Sequence, residues 1–117
     1  MLASGNRLRR STDFQLATRR GMRASRSCLV VHLTLPLPDS ALLTRVGLSV
    51  GKGVGGSVVR HRVARRLRSQ MRDLLGTLPS GSTVVVRALP PAATASSRLL
   101  GQELASALAS AVSKLSR

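Results

Sequence analysis

Between Thr44 and Arg72 the sequence alternates, turns and then changes period, and this succession constrains the fold more than any other part of the chain. Val46, Leu48 and Val50 fall at every second position, the spacing of one face of a strand. Gly51-Lys52-Gly53-Val54-Gly55-Gly56 then reads as a loop. After it, Val59, Val63, Leu67, Met71 and Leu74 recur at helical spacing and form one apolar stripe. A strand, a glycine loop and an amphipathic helix therefore follow one another without a break. Such a unit needs a sheet beneath the helix to cover its stripe.

The rest of that helix is basic. It carries Arg60, Arg62, Arg65, Arg66, Arg68 and Arg72, with Asp73 as the acid at its end. His61, Arg62, Arg65, Arg68 and Arg72 are expected on the arc opposite the stripe, whereas Arg60 and Arg66 should flank the core and reach round its edge. The helix start offers free backbone N–H groups beside Lys52, and guanidinium forks follow; both suit phosphate oxygens. A solvated basic face is the alternative. The whole chain favours a polyanion partner, because 19 basic residues stand against 4 acidic ones for a formal net charge of +15. Seventeen of the basic residues are arginine, the type favoured in phosphate recognition. Anionic membrane surfaces attract the same charge, so charge alone does not choose between partners.

At 117 residues the chain is read as a single domain, residues 1–117, with a basic segment at 1–10 expected to be flexible. Phe14 is the sole aromatic, so the core must be built from Leu, Val and Ala. Ser11 can cap a short helix reaching Arg20, with Gly21 as its stop. Leu29–Leu35 and Thr83–Arg87 read as further strands, the first with Leu29, Val31, Leu33 and Leu35 on one face and Val30, His32 and Thr34 on the other. Ser97–Leu115 is predicted as a second amphipathic helix, striped by Leu100, Leu104, Leu108, Ala111, Val112 and Leu115. The expected class is α+β, a two-layer sandwich of helices on one small sheet. The single cysteine, Cys28, fits a reducing cytoplasm, and no apolar stretch is long enough to span a bilayer, so no membrane association is expected.

No catalytic constellation is legible. The carboxylates Asp13, Asp39, Asp73 and Glu103 are scattered, and His32, His61 and Cys28 lack metal-ligand spacing. Neither a catalytic residue nor a protein metal site is therefore expected, and Cys28 reads as a buried small residue rather than a nucleophile. The loop Gly51–Gly56 satisfies G-x-G-x-x-G between a strand and a helix, as in dinucleotide-binding domains. The next strand, however, ends at Arg87 rather than at an acid, and the alternating units of such a domain are missing.

Lys52-Gly53-Val54-Gly55-Gly56-Ser57-Val58-Val59-Arg60-His61-Arg62-Val63-Ala64-Arg65-Arg66-Leu67-Arg68 resembles the signature helix of the bacterial ribonuclease P protein subunit family. Asn6-Arg7-Leu8-Arg9-Arg10 with Asp13-Phe14 and Gly21 is similar to that family's opening, and Arg45-Val46-Gly47-Leu48-Ser49-Val50 to its strand before the signature. The resemblance spans roughly residues 5 to 115 and implies an α-β-β-β-α-β-α sandwich, like the second domain of a small-subunit ribosomal protein, with a left-handed βαβ crossover through the signature helix. It also implies a subunit that joins a catalytic RNA, which removes the 5′ leader of precursor tRNA using Mg²⁺ held mainly by the RNA. No obligate protein partner is implied.

By position, the resemblance assigns catalytic-RNA contacts to Lys52, Arg60, His61, Arg62, Arg65, Arg66 and Arg68. It assigns a cleft for the single-stranded leader to Phe14, Val30 and His32, and further RNA contacts to Arg7, Arg9 and Arg10. His61 stands where the family's arginine–asparagine–arginine motif has asparagine, while Thr18, Leu29 and His32 stand where it favours aromatics. Leader binding here should therefore depend less on stacking and more on charge and shape. A structural RNA-binding protein, ribosomal or other, is the competing reading, and a nucleotide-binding enzyme is the third.

Overall fold

The computed structural model describes residues 21–34 and 44–115. Its elements are β1 (Met22–Ser25), β2 (Leu29–Thr34), β3 (Arg45–Ser49), helix α1 (Ser57–Leu74), β4 (Thr83–Ala88) and helix α2 (Ser97–Leu115), with short 3₁₀ turns at Leu75–Thr77 and Pro90–Ala93. The predicted helix at 11–20 and the turn at 36–43 lie outside the described residues. The architecture is the expected α+β class. The sheet order is β1-β2-β4-β3, and α1 makes the crossover between the parallel neighbours β3 and β4. Both β1–β2 and β2–β4 are antiparallel.

Strand β1 was not legible residue by residue. Of Met22, Arg23, Ala24 and Ser25 only Ala24 is buried, so the segment lacks the alternation that marks a half-buried strand. Among the described residues it is an edge strand, paired on one side only.

The sheet's two faces differ. Leu29, Val31, Leu33, Val46, Val84, Val86 and Ala88 face the core, where they meet Val63, Leu67 and Met71 of α1 and Leu100, Leu104, Ala107, Leu108 and Ala111 of α2. Val59, Leu74, Leu48, Val50 and Val112 pack half-buried at its margin. The expected stripes of both helices thus face inward; Leu115 lies at the chain end, where side chains are outside the described residues. Val54, in the glycine loop, is a further core residue at 7% exposure. On the other face the register aligns Arg23, His32, Val85 and Gly47 across the sheet, with Ser25, Val30, Arg87 and Ser49 in the next row.

Helix α2 is stitched to the β1–β2 hairpin by polar contacts. Glu103 accepts hydrogen bonds from the backbone N–H of Cys28 at 2.8 Å and from the Ser27 hydroxyl. Burial pushes the Glu103 carboxyl up, but these hydrogen bonds and the nearby Arg26 charge outweigh it and hold the group below its ordinary value. Arg26 donates from Nε to Ser106 Oγ at 3.0 Å and from Nη2 to the Ser106 carbonyl at 3.2 Å. Lys114 Nζ donates to the Arg23 carbonyl. The Cys28 thiol is buried, and burial raises its pKa, which keeps it a neutral core group.

Candidate RNA interface

Two basic surfaces meet at the glycine loop. The first is α1 and its approach. Gly56 caps the helix with extended backbone and no side-chain hydrogen bond, and the first turn holds no acid. Its leading N–H groups, with the positive end of the helix dipole, therefore face outward. Gly55 has φ +157°, and a Cβ there would stand 2.9 Å from Val59 Cγ1. Only glycine lets the loop approach the helix so closely. Lys52 projects from the loop as an exposed residue.

Along α1, His61 and Arg65 are exposed, while Arg60, Arg62, Arg66 and Arg68 are half-buried. His61 contributes to two shallow grooves. One, of about 310 Å³, is lined by Leu48, Val50, Arg60, His61, Ala64 and Arg68 on the β3 side. The other, of about 380 Å³, is lined by Ser57, Val58, His61, Arg62 and Arg65. Val58 is 79% exposed beside them, an apolar surface that a nucleobase or sugar could cover.

The expected exposed arc needs correction at Arg68, which is half-buried, and above all at Arg62. Its Nη2 donates to the Ala93 carbonyl at 3.0 Å, and Arg66 Nη1 donates to the Ala95 carbonyl at 2.9 Å. Gln70 Nε2 continues the series to the Ser97 carbonyl at 3.1 Å. A helix advances about 6 Å over four residues, and the segment that leaves the 3₁₀ turn at Ala93, passes the turn residue Thr94 and enters α2 at Ser97 runs alongside it. Side chains at 62, 66 and 70 can thus meet carbonyls at 93, 95 and 97 in register. A core-versus-water helical arc cannot reveal this, because the flank of α1 is covered by the approach to α2 rather than by the sheet.

The second surface is a groove of about 700 Å³ on the sheet face away from the core. Val30, Val85 and His32 lie on its floor, Arg23 and Arg87 supply charge, and Leu89 and Pro90 wall one end. Val30 and Val85 are buried at 5% and 2% exposure, yet lie outside the main core cluster. His32 is half-buried, and its Nδ1 is buried without a hydrogen-bond partner. Burial, then the charges of Arg23 and Arg87, lowers its pKa and favours the neutral ring. Gly51 and Gly53 also line this groove, so the loop that opens α1 borders both surfaces. The expected Val30 and His32 are brought together here. Phe14, Arg7, Arg9 and Arg10 lie outside the described residues. Arg23 was not named because the implied three strands before the signature helix came without residues for the first of them, and Arg87 was legible only as a strand end.

Among the described residues no three of His, Cys, Asp or Glu come together as a metal site. Glu103 is committed to Ser27 and Cys28, and Asp73 is exposed beside Arg72 at 3.8 Å. These two carboxylates do not fit a Mg²⁺ centre, which needs converging oxygen ligands. No helix among the described residues is long and apolar enough to cross a membrane.

A small mixed sheet backed by two helices, with a basic crossover helix and an arginine-flanked groove joined at one loop, defines an α+β protein built to bind a polyanion. The family model for ribonuclease P matches residues 2–112. A ribonuclease P protein component from Streptomyces avermitilis is 54% identical over 114 residues, covering 92% of this chain and 93% of the relative. One from Salinispora tropica is 48% identical over 127 residues, covering 95% and 93%. The chain belongs to the ribonuclease P protein family. The fold is similar to that of the RNase P protein of Staphylococcus aureus, with a TM-score of 0.78 at 22% identity over 88% of this chain and 92% of that one. The RNase P protein of Thermotoga maritima gives 0.71 at 22% identity over 84% and 90%.

Proposed function

We propose that this chain is the protein subunit of a ribonucleoprotein ribonuclease P, which removes the 5′ leader of precursor tRNA in the cytoplasm. Helix α1 and the glycine loop bind the catalytic RNA, and the groove on the sheet face away from the core takes the single-stranded leader. The observation that carries this reading is the sharing of the Gly51–Gly56 loop between two basic surfaces, one opening helix α1 and one containing His32. A protein that held one RNA duplex would need only one of them.

The chemistry follows from what the side chains can do. Guanidinium forks and outward N–H groups neutralise phosphate without taking part in bond breaking. The groove orients the leader through charge and shape: among the described residues its floor is Val30, Val85 and His32, and none of those that line it is aromatic. Since the described carboxylates do not fit a metal centre, hydrolysis is assigned to the RNA and its Mg²⁺, and the protein positions substrate.

The test is the affinity of the assembled complex for precursor tRNA with a several-nucleotide leader against mature tRNA. The reading predicts tighter binding of the precursor when this protein is present and a smaller difference with the RNA alone. Equal discrimination in both cases would remove the leader groove from the account.

A further inference from the structure

The hydrogen-bond ladder from α1 leads to the groove. Leu89 and Pro90 form one wall of the 700 Å³ cavity. The Leu89 N–H donates to the Cys28 carbonyl at 2.8 Å, which ties the start of this wall to β2, and the Ala92 N–H returns to the Leu89 carbonyl at 2.8 Å to close the turn. From there the chain runs through Ala93 and Ala95, whose carbonyls are held by Arg62 and Arg66. Ala92 and Ala95 are themselves buried, at 0% and 5% exposure. The wall is therefore clamped between β2 at one end and the basic helix at the other.

An arginine facing only RNA would leave its whole fork to solvent or phosphate. Arg62 and Arg66 instead each commit a donor to backbone, and Arg62 Nε is buried without a partner. Their shape is as well used as their charge. A hydrogen bond from a charged donor to a carbonyl is stronger than a neutral one and fixes direction.

We propose that Arg62 and Arg66 are positioning residues for the groove: through the Ala93 and Ala95 carbonyls they hold the Leu89–Pro90 wall to helix α1, so that the surface taking the catalytic RNA and the surface taking the leader keep one relative geometry. This rests on the leader-groove reading above. It divides the signature arginines by task, since Arg65 is exposed and no backbone carbonyl bond ties it or Arg68 to the wall. Both pairs add charge for RNA, but only Arg62 and Arg66 also shape the groove.

The experiment compares two double variants that remove equal charge, Arg62→Met with Arg66→Met and Arg65→Met with Arg68→Met, each assembled with the catalytic RNA at saturating protein. The quantity read is the ratio of affinities for precursor and mature tRNA. The parent complex is measured alongside, and absence of any leader preference there would reject the underlying reading rather than the positioning role. Given that preference, the 62/66 variant should lower the ratio by about tenfold, the scale of one well-placed contact, while the 65/68 variant should keep the parent ratio even though it needs more protein to assemble. Should the 62/66 double variant fail to fold, Arg62→Met alone, with the two other rungs intact, should still lower the ratio. An unchanged ratio in the 62 or 62/66 variant, or an equal fall in both pairs, would overturn the proposal.

Discussion

Gly101 of α2 stands against Gln70 of α1 so closely that a Cβ at 101 would lie 2.4 Å from Gln70 Oε1 and 2.6 Å from its Cδ. The glycine leaves room for the third rung of the ladder between the helices, the bond from Gln70 to Ser97. Glycine inside a helix costs about 1 kcal/mol relative to alanine, so its presence in mid-helix calls for such a packing reason. Gly101→Ala should gain little in the parent protein, because Gln70 must move and lose its acceptor. In a Gln70→Ala background the same change should stabilise by about 1 kcal/mol. A thermal or denaturant double-mutant cycle checks this coupling, which vanishes if the two effects simply add.

Leu67 and the Arg65/Arg68 pair separate core from interface. Leu67 is fully buried, and Leu67→Ala should cost about 2–5 kcal/mol through lost burial and a cavity. Arg65→Glu with Arg68→Glu should leave the circular dichroism spectrum of the free protein unchanged and abolish assembly with the catalytic RNA at moderate salt. Normal assembly of that variant in a filter-binding titration would make the helix a merely solvated face.

Glu103 is expected to be structural. Glu103→Ala leaves the buried Cys28 N–H without its acceptor, a loss of about 1–3 kcal/mol, read as a lowered melting temperature. Its folded-state pKa lies below the ordinary 4.5. The ionised group therefore contributes its stability fully above that ordinary value, and the contribution disappears as pH falls through the folded value. Stability of the parent minus that of Glu103→Gln should shrink on acidification below pH about 4.5.

His32 carries a pH signature of opposite chemistry. Its pKa is lowered from 6.5 by burial and then by Arg23 and Arg87, so the unfolded chain binds more protons than the native one between the lowered value and 6.5. Stability from this group is complete above 6.5 and declines as pH drops below it. His32→Gln should flatten that part of the stability profile in a pH series of denaturant melts. An unchanged slope would mean that the ring does not titrate in this window.

Much of this arrangement was legible in the sequence because it depends on period. Alternation in Leu29–Thr34 and the helical stripes of α1 and α2 each reflect burial against one partner, and α2 begins at Ser97 as expected. What escaped depends on contacts that period does not encode. Strand β1 is held by pairing with β2 and buries only Ala24, so the segment carries no hydrophobic signature. Val54 enters the core from a loop, where glycines mask any pattern. Arg62 turns one donor to a second layer of chain, a contact that helical spacing alone cannot reveal. The groove was foreseen only through the family resemblance, as Phe14 with the Val30/His32 face, of which Phe14 lies outside the described residues; its Arg23 and Arg87 flanks needed the strand register, which sets Arg23 opposite His32 and Arg87 opposite Val30.

The central claim is that this protein supplies charge and substrate positioning to an RNA-catalysed cleavage. It is tested most directly by titrating Mg²⁺ in leader cleavage of precursor tRNA, using the catalytic RNA from the same source with and without this protein. The account predicts that the protein lowers the Mg²⁺ concentration needed for cleavage and that RNA-free protein alone releases no leader at any Mg²⁺ concentration. Leader release by the RNA-free protein, or a Mg²⁺ requirement that the protein leaves unchanged, would contradict it.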